Sequence, residues 1–273
     1  MLKDITLGQY FPGNTVIHRL DPRCKLLLVV AYIVLIFCIK NFVGYAVLAA
    51  FTLGCIFLSK VPFKFVLKGL KPILIFIVIT GLFNLFLTGG EPIFHWWIFT
   101  VTKEGVGFAA FMVLRLVFLI LGTSLLTLTT SPIALTDGLE QLLSPFKKIG
   151  LPAHELAMMM TIALRFIPTL MEETDKIIKA QSARGADFES GNILRRAKAM
   201  VPILIPLFIS AFRRADELAT AMECRCYRGG ENRTRLRELK LSRADLGGWI
   251  AFLVLGAVLI LLNFWLGASI GVK

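Results

Sequence analysis

Charge is scarce in this chain, and acidic charge above all. Charged residues make up 18% of its 273 residues, with 18 Asp plus Glu against 30 Lys plus Arg, whereas a soluble globular protein carries about 25%. Only three histidines occur, His18, His95 and His154, and none is spaced with a carboxylate as a membrane metalloprotease requires. No Gly-x-x-x-x-Gly-Lys-Ser/Thr loop is present to cradle nucleotide phosphates, so the chain does not hydrolyse ATP by itself. The five cysteines, Cys24, Cys38, Cys55, Cys224 and Cys226, are odd in number and mostly lie in apolar runs, which excludes a secreted disulfide framework. Cys224 and Cys226 lack nearby His or further Cys, which falls short of a closed metal site, and no metal is expected. The first 25 residues contain Asp4, Arg19, Asp21 and Arg23 with no apolar run, so no cleavable signal peptide is expected.

Apolar residues are abundant, at 56% of the chain against roughly 45–50% in soluble proteins, and they define a membrane protein. The net charge of +12 then reads as a positive-inside topology, and the bilayer, not nucleic acid, as the partner. A helix crossing the hydrocarbon core needs about 20 apolar residues. Uncharged intervals of that kind are Asn41–Ser59, Pro72–Gly90, Gly105–Thr136 (broken only by Arg115) and Leu246–Val272. Leu26–Ile39 is shorter, 14 residues between Lys25 and Lys40, and spans only if both lysines snorkel. Lys3, Arg19, Arg23 and Lys25 before the first span, and Lys60, Lys64, Lys68 and Lys71 after the second, place the N-terminus and residues 137–245 in the cytoplasm. His95, Trp96 and Trp97 then fall at the outer interface, and Trp249 and Trp265 near the two ends of the last span.

The stretch 137–245 is punctuated differently. Helices are expected over Ile133–Lys148, ended by Gly150 and Pro152, over Ala153–Arg184, ended by Gly185, and over Ile193–Cys226, ended by Gly229-Gly230. The last two would be about 48 and 51 Å long, with Pro168, Pro202 and Pro206 kinking them. They nearly repeat one another 41 positions apart, Ala180 and Arg184 matching Ala221 and Arg225. An arginine at a helix C-terminus ordinarily just complements the helix dipole. Two of them between small neighbours leave a guanidinium free to capture a carboxylate bidentately.

With these motifs in place, the chain closely resembles the transmembrane coupling component of energy-coupling factor (ECF) transporters, the EcfT/CbiQ family. The likeness runs through His18-Arg19-Leu20-Asp21-Pro22-Arg23-Cys24-Lys25-Leu26, Gly150-Leu151-Pro152, Leu164-Arg165-Phe166-Ile167-Pro168, and the paired Ala183-Arg184-Gly185 and Cys224-Arg225-Cys226. The second pair departs from the family pattern in having Cys on both sides of Arg225. The resemblance implies an all-α polytopic membrane protein with about five transmembrane helices and a cytoplasmic module of long coupling helices. Residues 1–25 would be an N-terminal cytoplasmic segment, 26–136 transmembrane helices, 137–245 the coupling module and 246–273 the final span. It implies a non-catalytic subunit of an ABC-type micronutrient importer in a prokaryotic cell membrane. Two ATPase subunits, EcfA and EcfA', would bind ATP and Mg, and this chain would bind no cofactor. Ala183, Arg184, Gly185, Cys224, Arg225 and Cys226 would dock the ATPases. A small membrane S component, or several exchangeable ones, would bind the vitamin or metal ion.

Six of the eight methionines lie in this module, and flexible, polarisable Met suits surfaces that accept several partners. Met158, Met159 and Met160 are therefore expected to form part of the S-component docking face. Arg115 is expected to have a structural role inside its span. The basic run Arg233–Arg237 reads as a solvated face near the inner leaflet. The rival reading, a self-sufficient secondary transporter, calls for paired repeats around a midplane site, whereas the repeat here lies at cytoplasmic helix ends.

Overall fold

The computed structural model describes residues 10–89, 92–96, 99–186, 188, 193–230 and 239–266. In order they form α1 (Val16–Arg19), α2 (Pro22–Cys38), α3 (Phe42–Ser59), α4 (Phe63–Lys68), α5 (Leu74–Leu87), β1 (Pro92–Trp96), β2 (Phe99–Thr102), α6 (Lys103–Thr129), α7 (Pro132–Leu143), a 3-10 turn (Ser144–Ile149), α8 (Ala153–Ala183), α9 (Ile193–Cys224) and α10 (Arg243–Leu266). The architecture is all-α apart from one short antiparallel hairpin, β1 with β2. Each of the five apolar intervals contains a helix. By length and composition α3, α6 and α10 can cross a membrane, while α5 is a shorter apolar helix of 14 residues. Trp97, Arg233–Arg237 and the end of the last expected span lie outside the described residues.

Two boundaries differ from the sequence reading, and both fall at proline. The interval Gly105–Thr136 is not one helix: α6 stops at Thr129 and α7 begins at Pro132, because a proline disfavours the α region for the residue before it and suits the first turn of a new helix. The helix expected to reach Lys148 stops at Leu143 and continues as the 3-10 turn, with Pro145 in its first turn.

The chain divides into two units, Glu140–Arg237 with Met1–Leu7, and Gly8–Leu139 with Glu238–Lys273. The second unit is the apolar bundle. Its centre is Ile36, Tyr45, Leu48, Val66 and Leu128, all nearly inaccessible. Tyr45 lies edge-on to Phe111 at 4.8 Å and stacks on Phe118 at 6.0 Å. The outer faces remain apolar, with Phe264 and Trp265 each 87% exposed, as suits side chains that meet lipid. Arg115 is held in this bundle by aromatic rings. Its guanidinium carbon lies 5.2 Å and 5.1 Å from the ring centres of Phe37 and Phe111, and its Nε donates to the Tyr45 hydroxyl at 3.3 Å.

Polar ties fasten α10 to α2 at both ends. At one end, Asn263 Nδ2 donates to the Cys38 carbonyl at 2.7 Å, and Asn41 Nδ2 to the Leu262 carbonyl at 3.3 Å. At the other, the buried Asp245 carboxylate accepts from the backbone N–H of Asp21 at 2.7 Å and of Ser242 at 2.6 Å. Asp21 caps α2 by accepting from Arg23 N at 2.9 Å, and also receives Arg23 Nε and Nη2 at 3.0 and 2.7 Å. Arg23 Nη2 also donates to the Leu239 carbonyl at 3.0 Å. Lys25 Nζ uses its three donors on the carbonyls of His18 and Thr129 and on Thr130 Oγ1.

Arg23 holds the Asp21 carboxyl below its ordinary value, more than offsetting the opposite effect of burial. A carboxylate whose folded pKa is depressed contributes stability that is complete above its unfolded value and lost as pH falls through the folded one. The bundle should therefore weaken on acidification below the ordinary carboxylate range. Asp245→Ala, which leaves the Asp21 N–H without its acceptor, should cost about 1–3 kcal/mol. The check is the thermal unfolding midpoint in detergent; an unchanged midpoint would contradict the role given to Asp245.

Candidate functional site: two helix ends built alike

The unit within 140–237 is organised around α8 and α9, which run antiparallel. Their contacts step in opposite directions along the two helices: Gln181 with Pro202, Glu173 with Ser210 and Arg214, Met158 with Tyr227. Each helix carries internal proline, Pro168 in α8 and Pro202 and Pro206 in α9. Pro206 has no N–H to offer the Pro202 carbonyl, and Gln181 Nε2 supplies a donor from the facing helix at 3.4 Å. Midway, the Glu173 carboxylate takes the Ser210 hydroxyl on one oxygen and Arg214 Nη2 at 2.9 Å on the other. Those hydrogen bonds, Ser210 first, hold the Glu173 carboxyl below its ordinary value.

The two arginine motifs sit at the C-termini of these helices, and their backbones close in the same way. After α8, Gly185 N donates to the Ser182 carbonyl at 3.0 Å and Ala186 N to the Gln181 carbonyl at 3.0 Å. After α9, Cys226 N donates to the Glu223 carbonyl at 2.8 Å and Tyr227 N to the Met222 carbonyl at 3.0 Å. Each is a Schellman closure, in which the residue after the cap adopts left-handed φ and the last carbonyls of the helix are satisfied by the chain itself. Gly185 has φ +87° and Cys226 φ +55°. Arg184 and Arg225 are the cap residues just before those positions. Because backbone donors already fill the helix-end carbonyls, the guanidiniums are not needed to cap them. Both arginines are exposed, and neither enters an ion pair among the described residues. Ala183, Gly185, Cys224 and Cys226 beside them are exposed as well. The antiparallel course puts the motifs at opposite ends of the hairpin. Tyr227 lies against Met158, and the 26 residues from Met158 to Arg184 correspond to roughly 40 Å.

The end bearing Arg225 is further tied down. The Tyr227 hydroxyl donates to Met158 Sδ at 3.0 Å. His154, whose Nδ1 pairs with Glu140 Oε1 at 2.9 Å, packs so closely on Gly230 that an added Cβ there would stand 2.5 Å from the ring. This accounts for glycine at 230.

The three methionines have different surroundings. Met158 is engaged by Tyr227, Met159 is 58% exposed and Met160 is half-buried. The larger apolar display is on α9, where Met200, Leu204, Phe208 and Phe212 recur every four residues, with Ile205 and Ile209 beside them, all exposed. Its four-residue spacing, with no helix covering it among the described residues, marks it as a surface. Among the described residues, no group of three His, Cys, Asp or Glu is placed to hold a metal ion.

Three apolar helices of membrane-crossing length mark a polytopic membrane protein, and a long helical hairpin forms its other unit. The family described as cobalt transport protein, CbiQ, matches residues 13–236, and the chain belongs to it. The chain is 62% identical over 269 residues to the energy-coupling factor transporter transmembrane protein EcfT of Clostridium kluyveri, covering 98% of this chain and 100% of that one. To the protein of the same name from Thermosediminibacter oceani it is 60% identical, covering 94% and 98%. To that of Bacillus subtilis it is 51% identical, covering 96% and 100%.

Cys226 occupies a backbone position that suits glycine, at a cost for any Cβ of about 1–2 kcal/mol. Cys226→Gly should therefore raise the unfolding free energy of this end by about 1 kcal/mol after the greater chain entropy of glycine is counted. Cys226→Val should lower it. Chemical denaturation followed by a reporter at the C-terminus of α9 would show this order, and equal midpoints for all three would mean the conformation carries no strain.

Proposed function

We propose that this chain serves as the transmembrane coupling subunit of an energy-coupling factor importer by seating Arg184 and Arg225 in grooves of two ABC-type ATPase subunits. The observation that carries the reading is the duplicated helix end. Two exposed guanidiniums, each set on the same kind of self-satisfied backbone closure, stand at opposite ends of one antiparallel hairpin. Arginine at such a point suits bidentate capture of a carboxylate, and small neighbours let a groove close around it.

ATP and Mg are held by the partner subunits, and this chain catalyses no reaction and binds no cofactor. Closure of the ATPase pair draws the two docked ends together. The contacts Gln181–Pro202 and Glu173–Arg214 join α8 to α9, so that a displacement of one helix bears on the other. The exposed apolar face of α9, with Met159 of α8, receives a small membrane S component that carries a vitamin or transition-metal ion, and tilts it. Lys and Arg clustered before α2 and between α3 and α5 support a cytoplasmic N-terminus and coupling hairpin in the cell membrane of a prokaryote. The family relationship does not favour the self-sufficient secondary transporter.

Co-purification from the native membrane in mild detergent tests the reading. Removing one partner of a hydrogen-bonded interfacial charge pair costs about 2–5 kcal/mol, so Arg184→Glu and Arg225→Glu should each weaken ATPase retention roughly thirty-fold or more. The double variant should reach the membrane without ATPases. Normal retention by the double variant would overturn the docking assignment.

A further inference from the structure

A cavity of about 480 Å³ opens among α1, α2, α3, α6 and α10, with Leu28, Phe51, Leu58, Leu126 and Phe252 among its walls. Its lining is almost wholly apolar. Gly54 of α3 and Gly247 of α10 also border it, and a Cβ added at either would meet nothing within 4 Å. At its end the same three residues, Leu20, Lys25 and Thr129, also border a second, polar pocket of about 300 Å³. Arg19, Lys25 and Lys240 stand around this second pocket, with Thr130 and Ser131. The one acid in its lining, Asp21, is already bound by Arg23, and the other charged groups of the lining are basic. Lys25 is fixed at the junction by its three acceptors.

An apolar void joined to a basic mouth matches a molecule with a hydrocarbon chain and an anionic head. A helix is about 10 Å across, and little more than one turn would fill the apolar volume, which rules against a protein segment as occupant. Water is not expected to fill an apolar void. Basic pockets between membrane helices on the cytoplasmic side bind acidic lipid headgroups. The pocket lies at the ends of α2, α6 and α10 assigned to that side, the side to which the exposed Lys60, Lys64, Lys68 and Lys71 are also assigned.

We propose that this paired void is a binding site for one anionic phospholipid of the cytoplasmic leaflet, with an acyl chain against Phe51 and Phe252 and the phosphate headgroup at the polar mouth beside Arg19 and Lys240. The lipid fills the space that glycines leave between α3 and α10, and its headgroup bridges α1 and the segment leading into α10. The site is independent of the ATPase-docking motifs and rests only on the assigned orientation of the bundle.

Native mass spectrometry of the intact complex tests it, with phosphatidylglycerol and phosphatidylethanolamine supplied in turn after delipidation. Wild type should retain one phosphatidylglycerol in preference to phosphatidylethanolamine. Arg19→Glu with Lys240→Glu should weaken phosphatidylglycerol binding about thirty-fold or more. Gly54→Leu with Gly247→Leu, which fills the apolar half, should abolish retention of either lipid while the unfolding midpoint stays at or above that of wild type. Equal retention of the two lipids by wild type would overturn the headgroup assignment. Unchanged lipid retention by the cavity-filling variant would overturn the site, as would its loss of a protein subunit with lipid retained.

Discussion

A hydrogen bond from the second residue past the helix back to the carbonyl five positions earlier closes both α8 and α9. Without it, the last carbonyls of each helix would need donors, and an arginine placed at the cap would be the nearest source. With it, the backbone satisfies itself and the guanidinium is left outward. Free cations at helix ends therefore depend on a feature of main-chain geometry, the left-handed residue at 185 and at 226. Glycine adopts that conformation without penalty at the first position. At the second, a cysteine tolerates it at some cost, and the following chain is held by Tyr227 on Met158 and Gly230 on His154. The two ends share one construction and differ in how firmly each is anchored.

Between the ends, proline supplies coupling as well as kinks. Pro206 leaves the Pro202 carbonyl without its helical donor, and Gln181, whose own carbonyl closes the Arg184 motif, donates to it instead. The first arginine motif is in this way hydrogen-bonded to the irregular part of the opposite helix. Glu173 repeats the arrangement halfway along, joined to Ser210 and Arg214. Both contacts join α8 to the part of α9 that carries the exposed apolar face.

Much of this was legible in the sequence because it was written in punctuation and charge. Gly185 stands two residues past the end of α8 and Gly229 five past the end of α9, and charge gaps locate every apolar helix among the described residues. Within the fourth interval the helix expected from Ile133 marks the division to within one residue of Pro132, whereas the absence of charge through Thr129–Ser131 leaves the end of α6 unmarked. Arg115 announces itself as an intramembrane charge, and Phe111, four residues before it on α6, is a partner that helical spacing makes legible; Phe37 and Tyr45 come from α2 and α3, and no spacing rule connects them to it. Met158, Met159 and Met160 were grouped by composition. Consecutive residues on a helix point in different directions, so only Met159 of the three is exposed, and the broader surface lies on α9. The knot of Asp21, Arg23 and Asp245 joins residues more than 200 positions apart, and it explains physically why the acidic and basic residues around the start of α2 occur together.

Site-specific photo-cross-linking from positions 184 and 225 in the assembled transporter tests the central claim most directly. A photoreactive side chain at 184 should cross-link to one ATPase subunit and one at 225 to the other, each at a groove bearing acidic groups. Cross-links from both positions to the substrate-binding membrane partner, or to lipid alone, would contradict the account.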